Sequence, residues 1–346
     1  MGNFEETIDR FLESYTAQNG NSGYLRVTVK DNVVLERSIG YANRETKTPF
    51  CRDSLFTLYS LSKPFCALGL MKLVDRGLVK LEDHPGVYVP EAKAFHRDVT
   101  LDQILRHIGG IPDFVQTAKF HKKYPEGKAE HMRRHLLELA QHPMVSQPGT
   151  VSMYANVNYI LVALVIENVS GMPYPTYMER EVFAPLGMKT ARVDHPHLQD
   201  PNRVTGYEIY DGQVVAVERC LDWMLGAGDV LGTADDVYAL NRAIKHEKLV
   251  SKESWARILT PTPLGNFGLG CRVSQWHGKQ RIMHNGGSEG FRTLHIQLPE
   301  DDFDIIYLSN SGWGEARWDY AEAVFKAWYS QDDGQCDRTK MDEGYI

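Results

Sequence analysis

The sequence predicts an α/β protein of the α+β kind: a mostly antiparallel sheet formed by both ends of the chain and flanked by helices, with a helical lobe beside it. Apolar and polar residues alternate early, in "YLRVTVKDNVVLERSIGYAN", and again late, in "FGLGCRVSQWHGKQRIMH", "RTLHIQLPE" and "FDIIYLSNS". Between them, from about 60 to 200, the apolar period is helical. Strands at both ends around a helical middle imply that the two ends meet in one sheet. A cleft between the lobes is the natural place for a site.

Each element follows from its own pattern. Phe4, Ile8, Phe11, Leu12 and Tyr15 recur at helical spacing, and a hairpin turning at Asp31-Asn32 follows. Helices are expected over "PFCALGLMKLVDRGLV", "TLDQILRHI", "EHMRRHLLELAQHP" and "YILVALVIENVSG", with Gly or Pro ending several. An amphipathic helix over "EARWDYAEAVFKAWYS" closes the fold. The expectation is one domain over 1–330, with a sheet lobe of about 1–60 and 201–330, a helical lobe of about 61–200, and a polar tail over 331–346.

The 346 residues are 42% hydrophobic, enough for a sizeable core, and the net charge is −7. No block of Lys or Arg exceeds the pair in "HMRRH", so nothing points to nucleic acid or an anionic membrane. The expected partner is a small molecule or short peptide. No apolar run reaches the length of a membrane span, and "MGNFEETIDRFLESY" is acidic where a secretory signal is basic and then apolar. Five widely spaced cysteines, Cys51, Cys66, Cys220, Cys271 and Cys336, suggest neither a disulfide framework nor a zinc site. A reduced, cytoplasmic protein without metal or cofactor is expected; no oligomeric state follows.

Chemistry enters at "FTLYSLSKPF". Ser60 and Lys63 form S-x-x-K, and a helix starting near Ser60 puts them on one face, with Pro64 tolerated in its first turn. The helix N-terminus favours a developing oxyanion there, and Lys63 can accept the serine proton. The alternative is that Ser60 or Ser62 is an N-cap. Two further stretches supply what a serine nucleophile needs: Tyr154-x-Asn156 before a helix, and His284-Asn285-Gly286 at the end of a strand.

With these in view the sequence resembles the serine hydrolases related to class C β-lactamases, D-alanyl-D-alanine carboxypeptidases and esterases of the same β-lactamase/transpeptidase-like fold. The resemblance is carried in order by "SLSKPFCALGLMKLVDRGLVKLEDHPGVYVP", "ILRHIGGIPDF", "PGTVSMYANVNY", "FAPLGMKT", "GTADDV" and "HNGGSEGF". It implies Ser60 as nucleophile, Lys63 and Tyr154 as the proton-handling pair, and Asn156 as a substrate-amide partner. The backbone N–H groups of Ser60 and Gly287 would be the oxyanion donors. His284 stands where class C β-lactamases carry Lys, so a largely neutral group replaces a permanent charge.

Some positions depart from the family pattern or carry a plainer reading. "HIGGIP" replaces "HTSGLP", and Asp229 stands where a second glycine is usual, which implies a different pocket rim. Gly286 and Gly287 suit a place where substrate lies against backbone. Arg292 is a candidate for a substrate carboxylate, or forms an exposed ion pair. His131 and His135 share a helix face without the Glu of H-E-x-x-H and are expected on a solvated surface. His195 and His197 read as surface, Cys66 as a packed core cysteine, and Thr233 with Asp236 as a helix cap.

The function expected is a serine hydrolase cleaving an ester or amide of a small molecule or peptide through an acyl-enzyme. The alternatives are a D-alanyl-D-alanine carboxypeptidase or β-lactamase, and, in another class, a catalytically silent binding or scaffold protein. Whether Lys63 or Tyr154 is the formal base stays open at this level.

Overall fold

A computed structural model of the protein describes residues 2–113, 129–217 and 220–329. In chain order the strands are β1 (Gly23–Val29), β2 (Asn32–Ile39), β3 (Tyr41–Asn43), β4 (Thr48–Pro49), β5 (Phe56–Thr57), β6 (Arg192–Val193), β7 (Gly206–Tyr210), β8 (Gln213–Val217), β9 (Val230–Gly232), β10 (Arg272–Trp276), β11 (Lys279–Ser288), β12 (Phe291–Leu298) and β13 (Phe303–Ser309). Six of them make the main sheet, in the order β10-β11-β12-β13-β1-β2, and every pairing is antiparallel. The N-terminal hairpin therefore adds directly to β13, and the two ends of the chain meet as expected. The hairpin turns one residue earlier than the sequence suggests. Lys30 and Asp31 take the positive φ values of the turn, and Asn32 already opens β2.

Alternation sends the two faces of this sheet to different partners. Leu25, Val27, Leu294, Ile296, Phe303, Ile305 and Tyr307 share one face. Against it lie Phe4, Ile8 and Leu12 of the helix Gly2–Asn19 and Trp318, Ala321, Val324 and Phe325 of the helix Ala316–Tyr329. The opposite face carries Arg26, Thr28, His295, Gln297 and Asp304, all buried. Here the helix Ala234–Lys245 supplies hydrogen bonds: the Asn241 carbonyl accepts from Gln297 Nε2 at 2.9 Å, and Asn241 Oδ1 lies 2.9 Å from His295 Nδ1. A capping box of Thr233 and Asp236 starts that helix, as expected.

The second core is built on the helices Lys63–Asp75 and Asn156–Ser170, which pack on each other and are apolar nearly all round. Every residue from Asn156 to Ile166 is buried, and the left-handed Gly171 ends the helix. A separate three-stranded sheet, β5-β9-β6, contributes Phe56, Val193 and Val230 to this core. β5 leads straight into the segment carrying Ser60. Residues 331–346, including Cys336, lie outside the described residues. Among the described residues, no helix is long and apolar enough to cross a membrane.

Candidate active site

Ser60 does not sit in the first turn of an α-helix. The segment Tyr59–Ser62 is a 3₁₀ turn, and the α-helix begins at Lys63 with Pro64 in its first turn. The tighter turn still brings residues three apart together. Just before Ser60, Tyr59 holds a φ of +49°, a conformation costing an L-residue about 1–2 kcal/mol. Its hydroxyl is anchored on the Glu289 carbonyl at 2.9 Å, and Leu58 N–H on the Val230 carbonyl at 2.9 Å. The strained backbone leaves Ser60 half-buried, while Ser62 is sealed inside, accepting the Val230 N–H at 2.9 Å.

Lys63 is fully buried, and its amine has three neighbours: Ser60 Oγ at 3.0 Å, Asn156 Oδ1 at 2.9 Å and the Ala227 carbonyl at 2.6 Å. Burial pushes its pKa down to about 7, against a smaller upward pull from the Asp113 carboxylate. The amide and carbonyl oxygens only accept, so a neutral amine spends both N–H bonds on them. Its lone pair is then left facing the Ser60 hydroxyl.

Tyr154 approaches from the other side, its hydroxyl 2.6 Å from Ser60 Oγ and its ring 4.8 Å from Lys63 Nζ. The ring lies over His107 with centroids 4.5 Å apart. His107 is buried, its pKa well below the usual value through burial, and its Nδ1 accepts the Ala155 N–H at 3.2 Å. The Asn156 N–H is held by the Asp113 carboxylate. His107 and Asp113 thus fix the Tyr154–Asn156 segment. Both stand in "HIGGIPD", and neither was singled out from sequence, because nothing local marks a residue that supports another from 40 or more positions away.

β11 forms the third wall. β10 pairs only as far as Met283, and among the described residues no strand covers that edge of His284–Ser288. His284 is buried, and its Nδ1 faces the Asn285 carbonyl at 2.7 Å, which fixes the proton on Nδ1. Burial, and then the Lys63 charge, holds its pKa well below the usual value, so the ring is neutral, as its identity suggested. Asn285 is buried beside it.

The glycines meet the protein's own packing closely. A Cβ on Gly286 would collide with the Leu58 carbonyl and the Thr293 hydroxyl and lie 3.0 Å from Ser60 N; one on Gly287 would lie 2.9 Å from Arg292 Cδ. Arg292 spends Nη1 on the carbonyls of Ser288 and Phe291, at 2.6 and 2.9 Å, and its Nε lies 3.7 Å from the half-exposed Glu315. Arg317, not anticipated from sequence, donates to the Gly286 carbonyl at 2.6 Å. Beyond the Tyr59–Glu289 link lies a cavity of 380 Å³, lined among others by Thr57, Tyr59, His195, Cys220 and Phe291.

Two other expectations are corrected. Asp229 is not on a pocket rim: it is completely buried beneath Lys63, two residues after the Ala227 carbonyl. His135 is buried, not solvated, because the helix Ala129–Leu139 turns that side inward with Met132, Leu136 and Leu139. Cys66 is packed in the core and its thiol pKa is pushed up by burial, while His195 and His197 are exposed. Among the described residues, no three His, Cys, Asp or Glu side chains are gathered as metal ligands.

The chain and its fold have counterparts among known proteins. The family model described as Beta-lactamase matches residues 4–324. The chain belongs to that Beta-lactamase family. The protein is a serine hydrolase of the family. It is 27% identical to Penicillin-binding protein 4* of Bacillus subtilis, over 94% of this chain and 75% of that one. Its fold is similar to that of an octameric penicillin-binding protein homologue from Pyrococcus abyssi, with a TM-score of 0.82, 22% identity, and 94% and 77% of the two chains covered. It is likewise similar to a D-amino acid amidase from Ochrobactrum anthropi, with a TM-score of 0.78, 22% identity, and 94% and 98% covered.

Proposed function

We propose that the protein hydrolyses an ester or amide of a small molecule or short peptide through an acyl group on Ser60, with Lys63 as the base in acylation. The observation that carries this reading is the convergence on Ser60 Oγ of the Lys63 amine at 3.0 Å and the Tyr154 hydroxyl at 2.6 Å. An amine with a pKa lowered to about 7 is substantially neutral at physiological pH, whereas a phenol has an ordinary pKa of about 10. Ser60 Oγ attacks the carbonyl as its proton passes to Lys63 Nζ. The tetrahedral oxyanion is received by the backbone N–H groups of Ser60 and Gly287, the roles the family resemblance assigns them. Its collapse expels the leaving group, which takes a proton relayed from Lys63 through Tyr154. Water then attacks the ester with the same groups working in reverse.

The uncovered edge of His284–Ser288 is suited to receive the substrate backbone, with Asn156 as amide partner and Arg292, paired with Gly287, as a candidate for a substrate carboxylate. A catalytically silent role is disfavoured because Lys63 is buried at the cost of its charge, for which binding alone offers no reason. Free cysteines, with Cys66 and Cys271 sealed in the core, fit a reducing cytoplasmic compartment. The deciding experiment is intact-mass measurement after incubation with p-nitrophenyl esters, D-amino-acid amides and a penicillin, on wild type and Ser60→Ala. A wild-type adduct absent from Ser60→Ala is expected; an adduct retained by the variant overturns the reading.

A further inference from the structure

Beneath Lys63 the chain makes a short turn, closed by Asp229 where the family pattern has glycine. The Gly226 N–H donates to Asp229 Oδ2 at 2.9 Å, closing the turn across four residues, and Ala227 and Gly228 N–H both return to the Met224 carbonyl, at 2.8 and 3.0 Å. The Ala227 carbonyl is thereby aimed at Lys63 Nζ, 2.6 Å away. The turn has little room to move: Gly226 has a φ of +68°, and a Cβ there would lie 2.6 Å from Cys66 Sγ and 2.9 Å from the Tyr159 carbonyl. Immediately after it, the Val230 N–H donates to Ser62 and the Val230 carbonyl accepts from Leu58, so the turn is tied to both sides of Ser60. Asp229 itself is 0% exposed, and its second oxygen, Oδ1, has no hydrogen-bond partner.

A buried carboxyl with an unpartnered oxygen is expensive, and an uncharged acceptor would close the same turn. We propose that Asp229 is a positioning residue for the hydrolase reaction: it closes the turn that holds the Ala227 carbonyl on the Lys63 amine, and with Asp113 it adds negative charge around that amine. The inference rests on the reading of Lys63 as the acylation base.

Other groups face the pair and bear on its titration. Lys63 is also met by the Asp113 carboxylate, the Cys66 thiol, the rings of Tyr154 and Tyr159, and the neutral His107 and His284. Asp229 is also met by Asp194, Cys66 and Tyr174. Asp194 is paired with Arg203 through two contacts of 3.0 Å, burial keeps the Tyr159 and Tyr174 phenols protonated, and burial keeps the Cys66 thiol protonated. Asp113, and less strongly Asp229, are therefore the carboxyl groups that favour the Lys63 ammonium; burial raises the Asp229 pKa to about 7, so its charge builds up over the same pH range, and only Asp229 also holds the turn.

The test is the pH dependence of kcat/KM for an activated ester in wild type, Asp229→Asn and Asp229→Gly, with thermal unfolding alongside. Asn keeps an acceptor for Gly226 but removes the charge, so the ammonium loses support. The acidic limb should move to lower pH by up to roughly one unit, at most a tenfold gain in the ratio of neutral to charged Lys63, because Asp229 is itself partly protonated there. Gly removes the acceptor as well. It should show the same displacement together with a kcat lowered about tenfold at an altered KM of less than threefold, since the loss falls on the amine and not on substrate binding.

A limb in Asp229→Asn that superimposes on wild type overturns the charge role, and a wild-type kcat in Asp229→Gly overturns the positioning role. Should either variant fail to fold, the Lys63 ε-carbon NMR titration of the wild-type chain decides. Two inflections are expected from an amine above a titrating carboxyl, and one inflection overturns the proposal. Lys63→Met separates the two readings: an inactive Lys63→Met beside an unmoved Asp229→Asn limb removes only the role of Asp229, whereas an active Lys63→Met removes the base assignment itself.

Discussion

Tyr154 lies over His107, ring centroids 4.5 Å apart, while His107 Nδ1 accepts the backbone N–H of Ala155, the next residue, at 3.2 Å. One buried ring thus supports both the face of the phenol and the backbone that carries it. The hydroxyl of Tyr154, 2.6 Å from Ser60 Oγ, inherits its aim from this contact.

Removing the proton and removing the support should therefore look different. Tyr154→Phe is expected to lower turnover by roughly 10²- to 10⁴-fold with thermal stability little changed, the usual worth of positioned acid–base catalysis. His107→Leu leaves a buried N–H without an acceptor, which costs about 1–3 kcal/mol. It should lose stability and turnover together. Chemical unfolding and single-turnover acylation of the two variants check this; a His107→Leu variant as stable as wild type would remove the support role.

Ser60 and Ser62 are two residues apart, yet their environments differ. Ser62 is 0% exposed and holds the Val230 N–H, whereas Ser60 is reached by both Lys63 and Tyr154. Ser60→Ala should abolish turnover and the covalent adduct. Ser62→Ala should keep the adduct and lose about 1–3 kcal/mol of stability for the abandoned N–H. Peptide mapping that placed the acyl group on Ser62 or Cys66 would reverse the assignment.

What could be read from the sequence was whatever repeats or sits close by. The long apolar run of "YILVALVIENVS", ended by Gly171, gave its helix, alternation gave β11, β12 and β13, and Ser60 and Lys63 are three positions apart on one turn. The illegible part depends on long-range neighbours. His107, Asp113 and Asp229 gain their meaning from Ala155, Asn156 and Lys63, and no local pattern announces those meetings. Gly286 is ambiguous for a related reason: a glycine required by close approach looks the same whether a substrate or the Leu58 carbonyl approaches it.

The polar face of the main sheet yields a prediction about stability and pH. Asp304 is buried against the helix Ala234–Lys245, its Oδ1 has no partner, and burial raises its pKa from 3.8 to about 7, with Asp302 adding to the rise and Asn241 and Lys245 opposing it. Between about pH 4 and 7 the folded state binds this proton more tightly than the unfolded chain, so the group's contribution to stability falls as pH rises through that window. Asp304→Asn removes the dependence. Its melting temperature relative to wild type should be higher at pH 8 than at pH 5; an equal difference at both pH values would show that Asp304 ionises freely.

The last prediction concerns substrate class and rests on His284. A lysine at this position would keep positive potential beside the phenol at every physiological pH and attract a substrate carboxylate. His284 cannot, because it is buried, donates Nδ1–H to the Asn285 carbonyl, and has its pKa held well below 6.5 by burial and by Lys63. Nor does Arg292 readily substitute for it, since Nη1 is committed to the carbonyls of Ser288 and Phe291. Short-chain activated esters or small amides should therefore be turned over markedly faster than penicillins or cephalosporins. The ratio of ester to cephalosporin kcat/KM should stay flat from pH 6 to 8, because the residue that would make it pH-dependent does not titrate there. His284→Lys should shift the ratio toward the carboxylate-bearing β-lactam, and added salt should weaken that shift by screening the new charge. The measurement is kcat/KM for p-nitrophenyl butyrate and a chromogenic cephalosporin, with both proteins in the same buffer. A wild-type enzyme that preferred the cephalosporin would mean that the positive potential of the site comes from elsewhere, with Arg317, held against the Gly286 carbonyl at 2.6 Å, the first residue to replace.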